Sequence, residues 1–135
     1  MSYIPKYILK RMIPADAIKA IDGGLQFNMI NVISPLSVEG IPETGIEQYV
    51  EFSVDGNKIS DAQKLATTLT IGEDAAKQTY TLKDARKFDS VVVPVGGKMT
   101  IFFPSVNVKP GEEHEFELLV KTEHPFNLKV SRTVA

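Results

Sequence analysis

Residues 49–59, Tyr-Val-Glu-Phe-Ser-Val-Asp-Gly-Asn-Lys-Ile, alternate in polarity, turn at Asp55-Gly56 and start back. Val50, Phe52 and Val54 fall on one side of such a strand, and Tyr49, Glu51 and Ser53 on the other. A period of two with one apolar side is the pattern of a half-buried strand. Asp-Gly accepts the positive φ of a tight hairpin turn at little steric cost. This stretch fixes a local antiparallel pairing and carries no chemistry of its own.

The same grammar recurs. Residues 25–33 put Leu25, Phe27 and Met29 on one face and Ile30 and Val32 on the other, which predicts a strand covered on both sides. Residues 91–95 and 98–103 flank Gly96-Gly97, a second hairpin signal, with Pro94 marking an edge or a bulge. In residues 113–120, His114, Phe116, Leu118 and Val120 share one parity, and Glu113, Glu115 and Glu117 the other. Lys109-Pro110-Gly111 forms the turn before it. Residues 126–130 alternate again, with Phe126, Leu128 and Val130 inward. Residues 14–21 are Ala-rich behind Pro14 and predict a short helix, and residues 83–87 a single turn. Neither is long enough for a crossover between parallel strands. The fold class predicted is all-β, an antiparallel β-sandwich or partly closed barrel with at most one or two short helical turns, in one domain spanning 1–135.

Composition narrows the functional classes. A net charge of −2 gives no electrostatic case for nucleic acid or an anionic membrane. Lys6, Lys10 and Arg11 cluster, but Tyr3 and Tyr7 are the only stacking platforms beside them. Cysteine is absent, which removes disulfides, thiolate nucleophiles and thiolate metal sites. The longest purely aliphatic run is Val91-Val92-Val93, too short to span a bilayer, and the N-terminus lacks an uninterrupted apolar core of a signal peptide. The cytoplasm is the expected compartment.

The histidines are His114 and His124, with Glu112, Glu113, Glu115 and Glu123 nearby. Imidazole with carboxylate is the chemistry of a zinc site or a general base. His114 shares its parity with apolar residues, so the neighbouring glutamates are expected to point away, leaving a hydrogen-bonded structural histidine. His124 precedes Pro125 and reads as a loop residue. Neither a Gly-x-Ser-x-Gly elbow nor a phosphate loop is present. Residues 35–45 are the longest loop, and loops carry function disproportionately. Pro35, Leu36, Ser37, Ile41 and Pro42 are therefore the candidate substrate- or partner-facing residues. Ile30, Val32, Phe102 and Leu119 lie on the parity opposite the core, where a two-layer sandwich is polar. They are the candidate interface residues, unless the N-terminal segment or the loop covers them.

Taken in order, several fragments resemble a known family: Tyr7-Ile8-Leu9-Lys10-Arg11, Asp22-Gly23-Gly24-Leu25-Gln26-Phe27, Pro35-Leu36-Ser37, Val50-Glu51-Phe52-Ser53-Val54-Asp55-Gly56, Thr79-Tyr80-Thr81-Leu82-Lys83-Asp84 and Val108-Lys109-Pro110-Gly111-Glu112-Glu113-His114-Glu115-Phe116-Glu117-Leu118. The pattern is similar to the small β subunit of bacterial C-glycoside deglycosidases and runs over most of the chain. Two stretches depart from it. Asn31-Val32-Ile33-Ser34 stands where the family carries an aromatic residue and Arg-Gly, and residues 38–45 are longer. The resemblance implies a sandwich subunit that assembles with a barrel-type α subunit. It implies no cofactor and no catalytic residue in this chain. A divalent metal, manganese, and the acid–base groups would belong to the partner. The implied substrate is a 3-oxo C-glycoside of flavonoid or polyphenol type, whose C3 ketone acidifies the C2 proton so that elimination breaks the C1–aryl bond. Two other readings stay open on the residues alone: a free-standing module that binds carbohydrate or protein, and a metalloenzyme using His114 and His124.

Overall fold

The computed structural model describes residues 5–32, 36–37, 42, 45–72, 75, 77–88, 91–121 and 126–135; the side chains of Leu36, Ser37, Phe88 and Phe126 are left aside. Its architecture is two antiparallel sheets facing each other, as the alternating strands predict. Strands β1 (Ile18–Ile21), β2 (Gly24–Ile30), β6 (Thr68–Ile71), β7 (Gln78–Thr81) and β9 (Lys98–Pro104) form one, in the order β1-β2-β9-β6-β7. Strands β4 (Val50–Val54), β5 (Asn57–Lys58), β10 (Glu113–Val120) and β11 (Phe126–Thr133) form the other, in the order β11-β10-β4-β5. A two-stranded sheet pairs β3 (Leu36–Ser37) with β8 (Val92–Val93).

The β4–β5 hairpin has the predicted turn. Val54 pairs with Asn57, and Asp55 and Gly56 between them have φ of 52° and 83°. Two successive positive φ values make the tight turn whose twist matches the strands it joins. The core lies between the sheets and is aromatic. Phe27 and Phe103 come from the five-stranded sheet, and Phe52 and Phe116 from the four-stranded one. Phe52 stacks on Phe103 with centroids 3.7 Å apart, and Phe27 meets Phe52 and Phe116 edge-on at 6.3 and 6.2 Å.

The sandwich is partly closed along its edges. After β11, Ala135 donates its N–H to the Ile18 carbonyl and accepts from the Ala20 N–H, so the C-terminal residue continues the ladder onto β1. On the other side, helix α2 (Asp61–Ala66) bridges the sheets. Gln63 Nε2 donates to the carbonyl of Pro104, the last residue of β9, at 3.0 Å, and Lys64 reaches Glu51 on β4. Helix α1 (Lys6–Met12) inserts Leu9 and Met12 into the core, and Arg132 caps its C-terminal end by donating Nε and Nη2 to the Ile13 carbonyl at 3.1 and 2.8 Å.

Two expectations need correction. Residues 14–21 are not a helix: a turn at Ala15-Asp16 leads into β1, where Ile18 and Ala20 pair with Phe27 and Leu25. Pairing to β2 and to Ala135 outweighs the weak helical preference of alanine. Residues 91–95 and 98–103 do not pair with each other. The turn at Pro94–Gly97 exists, with the Gly97 N–H donating to the Pro94 carbonyl at 2.9 Å, but the strands diverge to β3 on one side and to β2 and β6 on the other. Among the described residues, helix is limited to short segments, α1, α2 and 3-10 turns at Ile46–Gln48 and Leu82–Phe88, as the all-β class requires; the turn over residues 83–87 lies within the last of these.

Candidate functional site

The loop residues are only partly placed. Pro35 and Ile41 lie outside the described residues, Leu36 and Ser37 form β3 against Val93 and Val92, and Pro42 is half-buried. The candidate interface residues do not come together. Ile30 and Phe102 share the outer face of the five-stranded sheet, while Leu119 sits between Glu51 and Asn127 on the outer face of the other sheet. Val32 is a correction: β2 ends at Ile30, and Val32 packs against the core. The alternation breaks at Asn31, which is buried. Its backbone exchanges hydrogen bonds with Gly96 and Gly97, and its side chain donates to the Val93 carbonyl at 2.9 Å. An extended chain bent by that junction no longer keeps the parity of the strand before it.

His114 is held by two carboxylates. Its Nδ1 lies 2.6 Å from Asp55 Oδ2 and its Nε2 3.2 Å from Glu112 Oε1, and its side chain is 19% exposed. Glu113 and Glu115 point to the other face, as expected, but Glu112 reaches back, contrary to the expectation that the neighbouring glutamates point away. The Asp55 hydrogen bond, and after it that of Glu112, outweighs burial and raises the His114 pKa above 6.5. Asp55 is held below 3.8, first by His114 and then by the Glu115 N–H. Glu112 is held below 4.5, first by the Lys109 N–H and then by His114. When protonated, His114 donates from both ring nitrogens to these carboxylates and has no lone pair for a metal. It fastens the β4–β5 turn to β10 and to the Lys109–Gly111 turn. His124 lies outside the described residues. Among the described residues, no group of three or more His, Asp and Glu side chains is placed to hold a metal ion.

A second charged cluster joins α2 to the four-stranded sheet. The Lys64 side chain is 7% exposed, yet its ammonium meets Glu51 Oε1 at 2.5 Å, the Glu47 carbonyl at 3.0 Å and Asp61 Oδ1 at 3.4 Å. Burial works against the charge, but Glu51 and then Asp61 outweigh it, so the Lys64 pKa is raised. Glu51 is lowered, chiefly by Lys64 and with help from Lys58 at 3.3 Å. An ammonium with three acceptors around it is a structural tie rather than a reactive amine.

The remaining candidate is the outer face of the five-stranded sheet. Register places Asn28, Thr100, Thr70 and Thr79 in one row across four strands, and Lys19, Gln26, Phe102, Thr68 and Thr81 in the next. The rows are bonded together. Asn28 Oδ1 accepts from Gln26 Nε2 at 3.1 Å and from the Thr100 hydroxyl at 3.0 Å, while Asn28 Nδ2 donates to the Ala17 carbonyl at 3.0 Å. The Thr70 and Thr79 hydroxyls lie 2.9 Å apart. At one corner this face deepens into a cleft of about 340 Å³ under the turn that precedes β1. Its floor is Gln26, Asn28, Ile30 and Thr100, and Pro14 and Lys19 contribute to its lining. Sequence reasoning passed over these residues. The available signal was the polar parity of β2, where Gln26 and Asn28, both neutral amides, stand where a solvent face carries charges.

No protein-family model matches this chain, and no curated protein sequence matches it. Among the described residues, no helix is long and apolar enough to cross a membrane.

Proposed function

We propose that this chain is the small β subunit of a cytoplasmic C-glycoside deglycosidase, assembling with a barrel-type α subunit. The observation that carries the reading is the outer face of the five-stranded sheet, where half-buried Ile30 and Phe102 sit among neutral threonines and amides. Low charge with scattered apolar groups is the composition of a protein–protein interface rather than of a free solvent face. The resemblance supplies the partner's chemistry: acid–base groups and a divalent metal, manganese, on the α subunit, acting on a 3-oxo C-glycoside. The fragments that carry the resemblance also meet one another in space. Asp55 ends one, and Glu112 and His114 belong to another.

Co-expression with any barrel-type protein encoded beside this chain tests the reading. The expected result is a stable complex that cleaves a 3-oxo C-glucoside, with Phe102→Glu weakening assembly while the isolated chain keeps its fold. A chain that stays monomeric beside every such barrel, or a barrel that cleaves equally well alone, would overturn it. A second reading, a sandwich that binds ligands by itself, draws support from the cleft.

A further inference from the structure

We infer that the cleft at the corner of the five-stranded sheet binds the ring of a sugar. The inference goes beyond the subunit reading and stands without it, because every group it uses belongs to this chain. The argument begins with what is already engaged. Asn28 spends its oxygen on Gln26 and Thr100 and one N–H on the Ala17 carbonyl, so it acts as a post that orients its neighbours. Gln26 then keeps Oε1 and one N–H unused, and Thr100, whose proton goes to Asn28, keeps its lone pairs. These are a donor and acceptors, uncharged and held at fixed positions above one sheet. Vicinal hydroxyls ask for that combination, since each both donates and accepts.

The surroundings fit the same ligand class. Lys19 lines the cleft and has no ion-pair or hydrogen-bond partner for its ammonium among the described residues, which leaves it to a hydroxyl or ring oxygen. Asp16, also lining the cleft, brings a carboxylate with no partner among the described residues, an acceptor of hydroxyl protons. Ile30 and Pro14 supply the apolar surface against which the C–H side of a ring can lie. A volume of about 340 Å³ falls at the small end of the roughly 300–1,000 Å³ typical of small-molecule sites, enough for one ring rather than a chain of them. The pre-formed network means that little side-chain freedom is lost on binding, which favours a pre-organised site over an induced one.

The test uses the full chain, isotope-labelled, titrated separately with methyl β-glucopyranoside and with an aryl C-glucoside, and followed by amide NMR. Saturable shifts of the Gln26 and Asn28 side-chain amides and of the Ala17 backbone, with millimolar affinity for both probes, are expected. Gln26→Ala and Thr100→Val, both on the outer face and away from the core, should each weaken binding by about tenfold while leaving the rest of the spectrum in place. Absence of saturable shifts with either probe, shifts that map away from the cleft, or unchanged binding in both variants would overturn the inference. None of these results bears on assembly with a barrel partner, which is read separately by the size of the co-expressed complex.

Discussion

The two outer faces of this sandwich rest on one aromatic core and solve the problem of facing outward differently. The four-stranded sheet shows Glu113, Glu115, Glu117 and Lys129 along β10 and β11, with Lys129 3.6 Å from Glu115. Alternating charge keeps such a surface hydrated and unattractive to other sheets. The five-stranded sheet shows threonines, amides, Phe102 and Ile30, with Lys19 on the edge strand β1 and Lys98 at the start of the central strand β9. Its polar groups bond to one another across strands rather than to water alone. A face that spends its hydrogen bonds laterally is flatter, better ordered and less costly to dehydrate than one made of long charged side chains. That difference is why the proposals above concern one face and not the other.

Four measurements sharpen or break this contrast. The largest effect is expected at Gly24, where β2 passes β9. A Cβ there would run into the Phe103 carbonyl oxygen and come within 3.1 Å of Phe102 Cζ on the outer face. Gly24→Ala should cost about 2–3 kcal/mol in chemical denaturation, and it should disturb NMR signals of the five-stranded face first. Next is Lys64→Ala, which leaves the partly covered Glu51 carboxylate with the exposed Lys58 alone and should cost about 2 kcal/mol. Because Lys64 ties α2 to the four-stranded sheet only, the amide network around Asn28 should keep its shifts; if that network moves too, the faces are not separable.

A smaller effect is expected from His114 through pH. Its raised pKa means that its stabilisation is complete below pH 6.5 and is lost as pH rises through the folded-state value. Asp55 and Glu112 run the other way. Their lowered values give stabilisation that is present above 3.8 and 4.5 respectively and is lost as pH falls through the folded-state values. The cluster is therefore strongest between about pH 4.5 and 6.5. Denaturation midpoints should decline from pH 6 toward pH 9 in the native chain and much less in His114→Gln. The smallest effect is expected at Lys129→Ala, on the charged face, which should change stability by no more than about 0.5 kcal/mol. A larger loss there would mean that the charged face also carries structure.

Much of the fold was legible because alternation survives burial. The β4–β5 hairpin, β10 and the core side of β2 follow directly from the period-two pattern, and Asp55-Gly56 sets the register. The misses have identifiable physical causes. Ala15, Ala17 and Ala20 favour a helix locally, but Ile18 and Ala20 also alternate with Lys19 and Ile21, and pairing across the Asp22–Gly23 turn decides the matter. Helix α2 had a signal that was not used: Ser60 and Gln63 form a capping box, each side chain bonding the other's backbone N–H. The candidate site was less legible. No spacing rule brings Asn28 to Thr100 or Lys64 to Glu51, because those contacts depend on strand order and helix placement. The split of Ile30 and Leu119 between opposite faces has the same cause, since parity within a strand does not say on which side of the molecule its sheet lies.

The close passage of β9 beside Gly24 has a consequence for how this sequence changes over time. The nearest obstacle to a side chain at 24 is the backbone of β9, at the Phe103 carbonyl oxygen and Pro104 Cα, with the Phe102 ring only beyond it, so a smaller ring at 102 does not make room for one. Relatives too distant for short fragments to reveal should still keep glycine at position 24, whichever residue stands at 102.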